Sequence, residues 1–320
     1  MPYSAQTTYI NLDLKNDVSS ADKEAAPAIR AYLGGSFDPV HEGHLQMAMH
    51  VYQDLFPIAE QQQRELHVSL LPNARSPFKD ESTNPEHRLT MLKLATQNTP
   101  LKISELELWQ TPPVYTINSV QTLCERYPND CLIFIMGMDS ARSLDKWKDG
   151  LQLTDYVNLW IFNRFSIAET NSTDENENLI DKNSIAQNAT ILQPQVVAQL
   201  PYQLQDLITN LPAELIMPTA QRLANNAVLK NSNQGRIYID PRPVAAISST
   251  QIRQQLQQQK LQNTKNRLNI MPIAETQITS VPSINDIMSN TESNPLAKWL
   301  NPAVYQYIIA HQLYSAAQFR

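Results

Sequence analysis

Short apolar runs recur along this chain of 320 residues and predict the strands of one sheet. Several runs are almost continuously apolar rather than alternating, which is typical of strands covered on both faces. Segments with helical spacing lie between them, so the pattern predicts an α/β fold with a doubly wound parallel sheet and right-handed crossovers. The runs are AIRAYL (28 to 33), ELHVSLL (65 to 71), LKISELEL (101 to 108), CLIFIM (131 to 136), VNLWIF (157 to 162) and RIYI (236 to 239).

Helical spacing and capping residues mark the helices between these strands. Asn84 followed by Pro85 is a favourable helix start, because the side chain of the Asn caps free N–H groups and Pro fits the first helical position. The segment from Asn301 begins in the same way. Apolar spacing predicts one helix that buries Leu45, Met49, Tyr52 and Phe56, and another that buries Ile117, Val120, Cys124 and Tyr127.

Composition divides the chain into a main domain and several polar segments. Residues 1 to 29 form a polar extension, and residues 30 to 257 form the main domain. Residues 166 to 234 are rich in Asn, Gln and Ala and are expected to be an insertion in this domain that is partly ordered. Residues 258 to 295 are polar and weakly periodic, which predicts a second, low-complexity insertion. Residues 296 to 320 are expected to form a helix that packs on the domain.

Charge and cysteine content narrow the class of protein. The formal net charge of −6 argues against a surface that coats nucleic acid, because phosphate neutralisation needs a basic face. The polar N-terminal residues resemble neither a secretory signal nor a membrane span, so we expect no membrane partner. Cys124 and Cys131 lack metal-ligand spacing and are expected to be buried free thiols. A cytoplasmic location follows from these expectations.

The stretch GGSFDPVHEGHL, residues 34 to 45, holds three of the six glycines and two of the six histidines. Gly34, Gly35 and Gly43 would let the backbone approach a bound group, and a helix start would add partial positive charge. This predicts a phosphate site, although no Gly-Lys-Ser/Thr follows as in a P-loop. His41 and His44 would face the phosphate as imidazole donors. The alternative is a tight turn with two solvent-exposed histidines.

The stretch ISSTQIR, residues 247 to 253, predicts a second phosphate site. Ser248, Ser249 and Thr250 place hydroxyls at a helix start, and Arg253 lies on the same helix face four residues after Ser249. Hydroxyls, free N–H groups and a guanidinium together suit a phosphate. The alternative is an ordinary helix cap with a surface Arg.

Two further residues have the chemistry of nucleoside contacts. Asp139 follows the strand CLIFIM, where a carboxylate can accept hydrogen bonds from ribose hydroxyls; the alternative is a helix N-cap. Trp147 offers a flat face to an aromatic ring, although a Trp is also a common core residue.

The stretch GGSFDPVHEGHL closely resembles the signature of the class I synthetase-like nucleotidyltransferases. It matches the form GG(S/T)FDPVHxGHL of the bacterial nicotinate-nucleotide adenylyltransferases. Other stretches resemble motifs of that family in the same order. They are LLPNARSPFK (70 to 79), HRLTMLKLA (87 to 95), ISELELWQTPPVYTINSVQTL (103 to 123), FIMGMDSARSLDKWKD (134 to 149) and ISSTQIRQQL (247 to 256).

The resemblance implies a Rossmann-like nucleotidyltransferase fold and a reaction of NAD biosynthesis. The adenylyl group of ATP would pass to nicotinate mononucleotide, giving nicotinate adenine dinucleotide and pyrophosphate, with Mg²⁺ carried by ATP. His41, His44 and Arg253 would be catalytic. ATP would also contact Gly34, Gly35, Ser36, Phe37, Gly43, Gly137, Asp139, Ser248, Ser249 and Thr250. The acceptor would contact Asn73, Lys79, Tyr115, Thr116 and Trp147. Phe78 stands where the family commonly has His, so the chain departs from the family at one substrate contact.

Other functions stay open at this point. The acceptor could instead be nicotinamide mononucleotide or phosphopantetheine, although enzymes for phosphopantetheine usually lack the first His of H-x-G-H, the position of His41. A regulatory protein that binds nucleotide without turnover is a rival from another class. An enzyme that charges tRNA is disfavoured by the short chain and the acidic balance. Self-association into a homo-oligomer is also open.

Overall fold

The computed structural model describes residues 26 to 74, 82 to 163, 194 to 216, 235 to 269 and 296 to 314. In these residues seven strands pair in parallel in one sheet, in the order β3-β2-β1-β4-β5-β7-β6. The predicted α/β fold with a doubly wound parallel sheet is therefore confirmed. The strands are β1 (Ile29–Gly35), β2 (Leu66–Pro72), β3 (Lys102–Ile103), β4 (Cys131–Gly137), β5 (Asn158–Phe162), β6 (Ile208–Thr209) and β7 (Ile237–Asp240).

Helices cover both faces of the sheet. The α-helices are α1 (Glu42–Gln61), α2 (Pro85–Thr96), α3 (Thr116–Arg126), α4 (Met138–Ala141), α5 (Pro194–Val197), α6 (Tyr202–Gln205), α7 (Ser249–Asn269) and α8 (Pro302–Ala310). Short 3-10 helices occupy Leu144–Lys146, Gly150–Asp155 and Pro212–Leu215. Residues of α1, α2, α7 and α8 share one core cluster, and residues of α3 to α6 share a second cluster on the opposite face.

The central strand β4 is apolar throughout because its side chains contribute to both clusters. In β4, Ile133 and Ile135 belong to the first cluster, whereas Leu132, Phe134 and Met136 belong to the second. All five side chains are at most 4% exposed. The nearly continuous apolar run in the sequence is thus the consequence of a strand that is covered on both sides.

The strand order reverses beside β1. The chain moves outward from β1 to β2 and β3, and then returns to β4 on the other side of β1. All carboxyl ends lie at one edge of the sheet, and ligands of open α/β sheets bind at that edge where the order reverses. The GGSFDP turn and the segment after β4 both lie there.

The apolar face that spacing predicted for α1 is wrong in part. The helix buries Met47, Ala48, Val51 and Leu55, while Phe56 is 39% exposed. Phe56 instead stacks on Tyr52 at the rim, with ring centroids 5.4 Å apart. The sequence of α1 contains two apolar stripes, and the stripe of smaller side chains packs against β1 and β2. The prediction for α3 holds for Ile117, Val120 and Cys124, which are buried.

The structure adds detail at three of the predicted segments. Residues 194 to 216 of the expected insertion are ordered and supply β6, which pairs with β7 at the sheet edge. Helix α7 continues to Asn269, so the boundary placed between residues 257 and 258 falls inside a helix. Gln, Lys and Leu favour helix without an apolar stripe, which explains why periodicity missed this extension. The predicted strand over 101 to 108 is only the two residues of β3.

Several other predictions can be compared with the described residues. Asn84 and Asn301 cap α2 and α8, accepting hydrogen bonds from the N–H groups of Glu86 and Ala303. Cys124 and Cys131 are buried free thiols. Within the described ranges, no helix combines the length and the apolar character needed to span a membrane. Residues 1 to 25, 164 to 193, 217 to 234, 270 to 295 and 315 to 320 lie outside the described residues, as do Phe78 and Lys79.

A buried ion-pair cluster ties α1 to the end of β7. Asp240 has no exposed surface and accepts a hydrogen bond from Trp160 Nε1 at 3.1 Å. Arg242 Nη2 lies 2.6 Å from Asp240 Oδ2 and 2.6 Å from Asp54 Oδ2 of α1. The guanidinium is thus the cation that neutralises a fully buried carboxylate.

We expect Arg242→Met to lower the free energy of unfolding by about 2 to 3 kcal/mol, because the Asp240 carboxylate would stay buried without its cation. Urea denaturation measures the free energy of unfolding, and urea is uncharged, so it does not screen the ion pairs. Arg236→Met is the matched control: Arg236 pairs with Glu214 at 2.7 Å, but its side chain is 53% exposed. Its loss should be less than about 1 kcal/mol. Equal losses in the two variants would contradict the assignment.

Glu107 is a second buried acid, in the loop between β3 and α3. It is 6% exposed, and burial raises its pKa from 4.5 to about 7, an effect that the neighbouring Ser119 side chain opposes in part. Between these two pH values the unfolded chain has lost the Glu107 proton while the folded chain still holds it. The free energy of unfolding therefore falls as pH rises from 4.5 to 7.

We expect Glu107→Gln to reduce this decline, so that the variant is more stable than the parent protein at pH 8. The measurement is urea denaturation at several values between about pH 5 and pH 8. Glu125→Gln, which changes an exposed acid of α3, should leave the slope unchanged. Identical slopes for the parent protein and Glu107→Gln would overturn the prediction.

Candidate active site

The turn between β1 and α1 is shaped by aromatic packing around its glycines. A Cβ on Gly34 would lie 2.5 Å from the ring of Phe134, and a Cβ on Gly35 would lie 3.1 Å from the ring of Phe37. Phe37 is fully buried and adopts a left-handed conformation with φ of 46°. None of the described glycines has positive φ. Gly34 and Gly35 are therefore needed for close ring packing, a reason that differs from the expected approach to a ligand.

Gly43 serves a different contact. A Cβ there would lie 2.8 Å from the carbonyl oxygen of Ala245 and 3.2 Å from the ring of His41. The N–H of Ala245 donates to Gln46 Oε1 at 2.8 Å. The first turn of α1 thus packs directly on the segment that leads into α7.

The two histidines of the turn lie in contact with each other. His41 is the N-cap residue of α1 and is 2% exposed. Its ring stacks on that of His44, with centroids 3.7 Å apart and planes 25° apart. The backbone N–H of His41 donates to His44 Nδ1 at 3.3 Å, so a neutral His44 carries its proton on Nε2. The rings of Phe37 and His44 pack in a T-shaped arrangement, with centroids 4.9 Å apart. His44 is therefore oriented with Nε2–H as its donor.

The residues of ISSTQIR reach the same turn. Ser249 Oγ donates to the carbonyl of Pro39 at 2.9 Å, and Arg253 Nη1 donates to the carbonyl of Asp38 at 2.6 Å. Arg253 Nη2 also lies 3.2 Å from Thr250 Oγ1. The two predicted phosphate motifs thus meet through direct hydrogen bonds. Arg253 is anchored, in contrast to the alternative of a free surface Arg.

Ser248 has the capping role that was considered as the alternative. Its hydroxyl accepts from the N–H of Gln251 at 3.2 Å, and its own N–H donates to Gln251 Oε1 at 2.8 Å. This reciprocal pair is a capping box at the start of α7. Ser248 therefore caps α7, whereas Ser249 and Arg253 form hydrogen bonds with the GGSFDP turn.

Sequence reasoning missed Arg88, which is fully buried beneath the turn. Its guanidinium donates to the carbonyls of Ser36 at 2.9 Å and Asn73 at 2.8 Å. It also donates to those of Ala74 at 2.6 Å and Thr83 at 3.1 Å. Burial lowers the pKa of Arg88, and the nearby Asp38 carboxylate opposes that effect. In the sequence, the one feature that could have identified Arg88 was its position on the apolar stripe of α2.

Asn73 lies beside the turn as well. Its N–H donates to the carbonyl of Gly35 at 3.0 Å, and its own carbonyl accepts from Arg88. Its Oδ1 is buried and has no hydrogen-bond partner among the described residues. The structure therefore brings Asn73 to the phosphate motifs, whereas Lys79 lies in residues 75 to 81, outside the described part of the chain.

The residues expected to bind the acceptor base form a second group. Tyr115 is the N-cap residue of α3, directly before Thr116. Lys148 Nζ lies 4.7 Å from the centre of the Tyr115 ring. Tyr115 and Trp147 are both half-buried against the second core cluster. Lys148 was not singled out in the sequence; its position directly after Trp147 was the only signal.

Gly137 and Asp139 lie between the two groups along the sheet. Gly137 ends β4 and is the N-cap residue of α4, and Asp139 is exposed in the first turn of that helix. Because β4 pairs with β1, Asp139 follows the strand next to the GGSFDP turn. Gly137, not Asp139, is the N-cap residue, so the alternative role of Asp139 as a helix cap is wrong. The side chain of Asp139 is exposed at the carboxyl edge of the sheet.

Comparison with known proteins assigns the chain to a family. A family model described as cytidylyltransferase-like matches residues 32 to 255. A probable nicotinate-nucleotide adenylyltransferase of Shewanella frigidimarina is 31% identical over 233 residues, which are 71% of this chain and 87% of the relative. Another probable nicotinate-nucleotide adenylyltransferase, from Idiomarina loihiensis, is 28% identical over 234 residues, or 72% of this chain and 90% of the relative.

One solved structure aligns with this chain over most of the length of both chains, but with low sequence identity and a low TM-score. It is Plasmodium falciparum nicotinic acid mononucleotide adenylyltransferase complexed with NaAD, with 17% identity and a TM-score of 0.48. The match covers 90% of this chain and 97% of that chain. The family model and the relatives carry the assignment: this chain belongs to the cytidylyltransferase-like family and, within it, to the nicotinate-nucleotide adenylyltransferases.

Proposed function

We propose that this protein transfers the adenylyl group of ATP to nicotinate mononucleotide, a reaction of NAD biosynthesis. An oxygen of the acceptor 5′-phosphate attacks the α-phosphorus of ATP and forms a new P–O bond. The bond from that phosphorus to the bridging oxygen of the β-phosphate breaks, and pyrophosphate leaves with the electron pair. The products are nicotinate adenine dinucleotide and pyrophosphate.

One observation carries the assignment of the catalytic residues. Arg253 and Ser249 donate to carbonyls of the turn that holds His41 and His44, which brings a guanidinium, a hydroxyl group and two imidazoles together at the carboxyl edge of the sheet. Convergent donors of this kind suit a triphosphate more than a single phosphate. We assign the triphosphate to these four residues, with the N–H groups at the starts of α1 and α7.

The chemistry needs positioning and charge neutralisation rather than a covalent intermediate. Two polyanions repel each other, and negative charge grows on the leaving oxygen during transfer. Arg253 and His44 would stabilise that charge, since both are held in place before substrate binds. Mg²⁺ enters as part of the MgATP substrate and neutralises phosphate oxygens. Among the described side chains no cluster of three or more His, Cys, Asp or Glu is placed to hold a metal ion.

The remaining expected contacts follow from position. We assign Gly34, Gly35, Ser36 and Phe37 to the α-phosphate side, and Gly137 and Asp139 to the ribose of ATP. Asn73, whose N–H bonds the carbonyl of Gly35, and Lys79 would donate from the side-chain amide N–H and the ammonium group to the phosphate of nicotinate mononucleotide. Tyr115, Thr116 and Trp147 would hold the pyridine ring. The ammonium of Lys148 beside Tyr115 would favour an acceptor that carries a carboxylate.

We expect His44→Ala to lower kcat by about 10²- to 10³-fold, because a preorganised donor to the triphosphate is lost. Release of pyrophosphate from ATP and nicotinate mononucleotide measures the rate. His50→Ala changes another half-buried His of α1, one that stacks on Phe162, and is the matched control. A rate near that of the parent protein for His44→Ala would remove His44 from the mechanism. A parent protein that binds ATP without releasing pyrophosphate would favour a regulatory protein.

We expect the parent protein to prefer nicotinate mononucleotide to nicotinamide mononucleotide. Lys148→Met should reduce kcat/KM for the acid by about three- to tenfold and change the amide little, since only the acid carries the extra charge that Lys148 attracts. Lys146→Met, a change of another exposed Lys two residues away, is the control. Equal effects on both acceptors would exclude Lys148 from selectivity, and a parent protein that prefers the amide would contradict the assignment of the acceptor.

A further inference from the structure

The C-terminal segment, residues 296 to 314, contacts the GGSFDP turn directly. Tyr314 is fully buried, and its hydroxyl donates to Asp38 Oδ1 at 2.7 Å. At the other end of the segment, the carbonyl of Trp299 accepts from the N–H of Glu42, the first residue of α1, at 2.9 Å. The segment therefore holds both the turn and the helix start that follows it.

Asp38 is the residue at which several parts of the chain meet. Its side chain is 5% exposed, and Oδ2 accepts from the N–H of Thr83 at 3.1 Å. Its backbone carbonyl accepts from Arg253 Nη1 at 2.6 Å. The carboxylate thus contacts the segments before α2 and after α8, while the carbonyl of the same residue anchors the guanidinium assigned to the triphosphate.

The backbone of the C-terminal segment is held in an uncommon conformation. Gln312 and Tyr314 both have positive φ, 53° and 59°, and neither is glycine. Such conformations cost about 1 kcal/mol or more each and persist where the surroundings demand them. They direct Tyr314 inward to Asp38. Burial and the Asp38 carboxylate raise the pKa of Tyr314 well above its ordinary value, so the phenol remains a donor at neutral pH.

We propose that Tyr314 is a positioning residue for adenylyl transfer, which acts through Asp38 on Arg253. The hydroxyl fixes the Asp38 side chain, the side chain fixes the backbone of the turn, and the Asp38 carbonyl then orients the guanidinium toward the triphosphate. This inference rests on the catalytic role proposed for Arg253. According to this inference, the C-terminal segment supports the geometry of the phosphate site, although the segment lies more than 250 residues from the turn in sequence.

The rival explanation is that the Tyr314 hydroxyl only stabilises the fold. Tyr314→Phe removes the hydroxyl and keeps the ring, so the two explanations differ in kinetics. We expect kcat to fall about tenfold. The lost hydrogen bond joins a buried charged group, and without it Asp38 no longer holds Arg253 in position. The KM for ATP should change less than about twofold, because the other triphosphate contacts remain.

Tyr307→Phe is the matched control. It removes a hydroxyl from the same C-terminal segment, one that bonds His87 Nδ1 at 2.8 Å, outside the GGSFDP turn. We expect kcat and KM of this variant to stay within about twofold of the parent protein. Thermal unfolding of both variants reports stability, and the assays are run well below both midpoints.

A double-mutant cycle with Arg253→Ala separates positioning from stability. If Tyr314 acts through Arg253, adding Tyr314→Phe to Arg253→Ala should reduce kcat by less than about twofold further, while the loss of thermal stability persists. A full tenfold further loss would overturn the proposal, and so would an unchanged kcat for Tyr314→Phe alone. If Arg253→Ala itself keeps full activity, the proposed role of Arg253 fails instead.

If Tyr314→Phe does not fold, Asp38→Asn tests the same connection with Tyr314 intact. This substitution keeps the shape of the side chain and removes the negative charge that accepts the hydrogen bond from the Tyr314 hydroxyl. We expect about a tenfold loss of kcat that again nearly disappears in the Arg253→Ala background. A loss that is additive with Arg253→Ala, or no loss at all, would overturn the proposal.

Discussion

The buried guanidinium of Arg88 sets the geometry on which the phosphate site depends. A cation without exposed surface must satisfy its N–H groups inside the protein, and those of Arg88 do so with four backbone carbonyls. Those carbonyls belong to the GGSFDP turn, to the segment after β2 and to the segment before α2. Because one planar group bonds all of them, none of these segments can shift without leaving a buried donor unpaired.

Around that centre, the parallel sheet brings distant stretches of sequence to one edge. The GGSFDP turn follows β1, Asn73 follows β2, Asp139 follows β4, and α7 begins after β7. Parallel pairing places these ends together whatever their separation in sequence. Hydrogen bonds from Ser249 and Arg253 to the turn then fix the orientation of the start of α7 relative to the turn. The fold supplies the location of the site, and the polar contacts supply its orientation.

The sequence predicted what depends on local pattern and missed what depends on tertiary contact. Five strands were found because strands buried on both faces are largely apolar along their length, whereas the run over 101 to 108 overstated the two-residue β3. The two-residue strand β6 has no such signal in its polar surroundings. The buried face of α1 was misjudged because two apolar stripes compete and only packing on the sheet selects one. Motifs singled out His41, His44 and Arg253 as candidates, and all three lie at the GGSFDP turn. Arg88, Tyr314 and Lys148 acquire their partners only when the chain has folded.

The phosphate side and the acceptor side of the site are held by different kinds of contact. Buried hydrogen bonds to Arg88 and Asp38 hold the phosphate side, so a change there leaves unpaired polar groups and affects the whole turn. The acceptor side consists of half-buried rings, Tyr115 and Trp147, and the exposed cation of Lys148. Substitutions on that side alter shape and charge without disturbing the buried network. Under the proposed function, selectivity among pyridine nucleotides would therefore be adjustable at the rim, while the transfer chemistry would depend on contacts that tolerate little change.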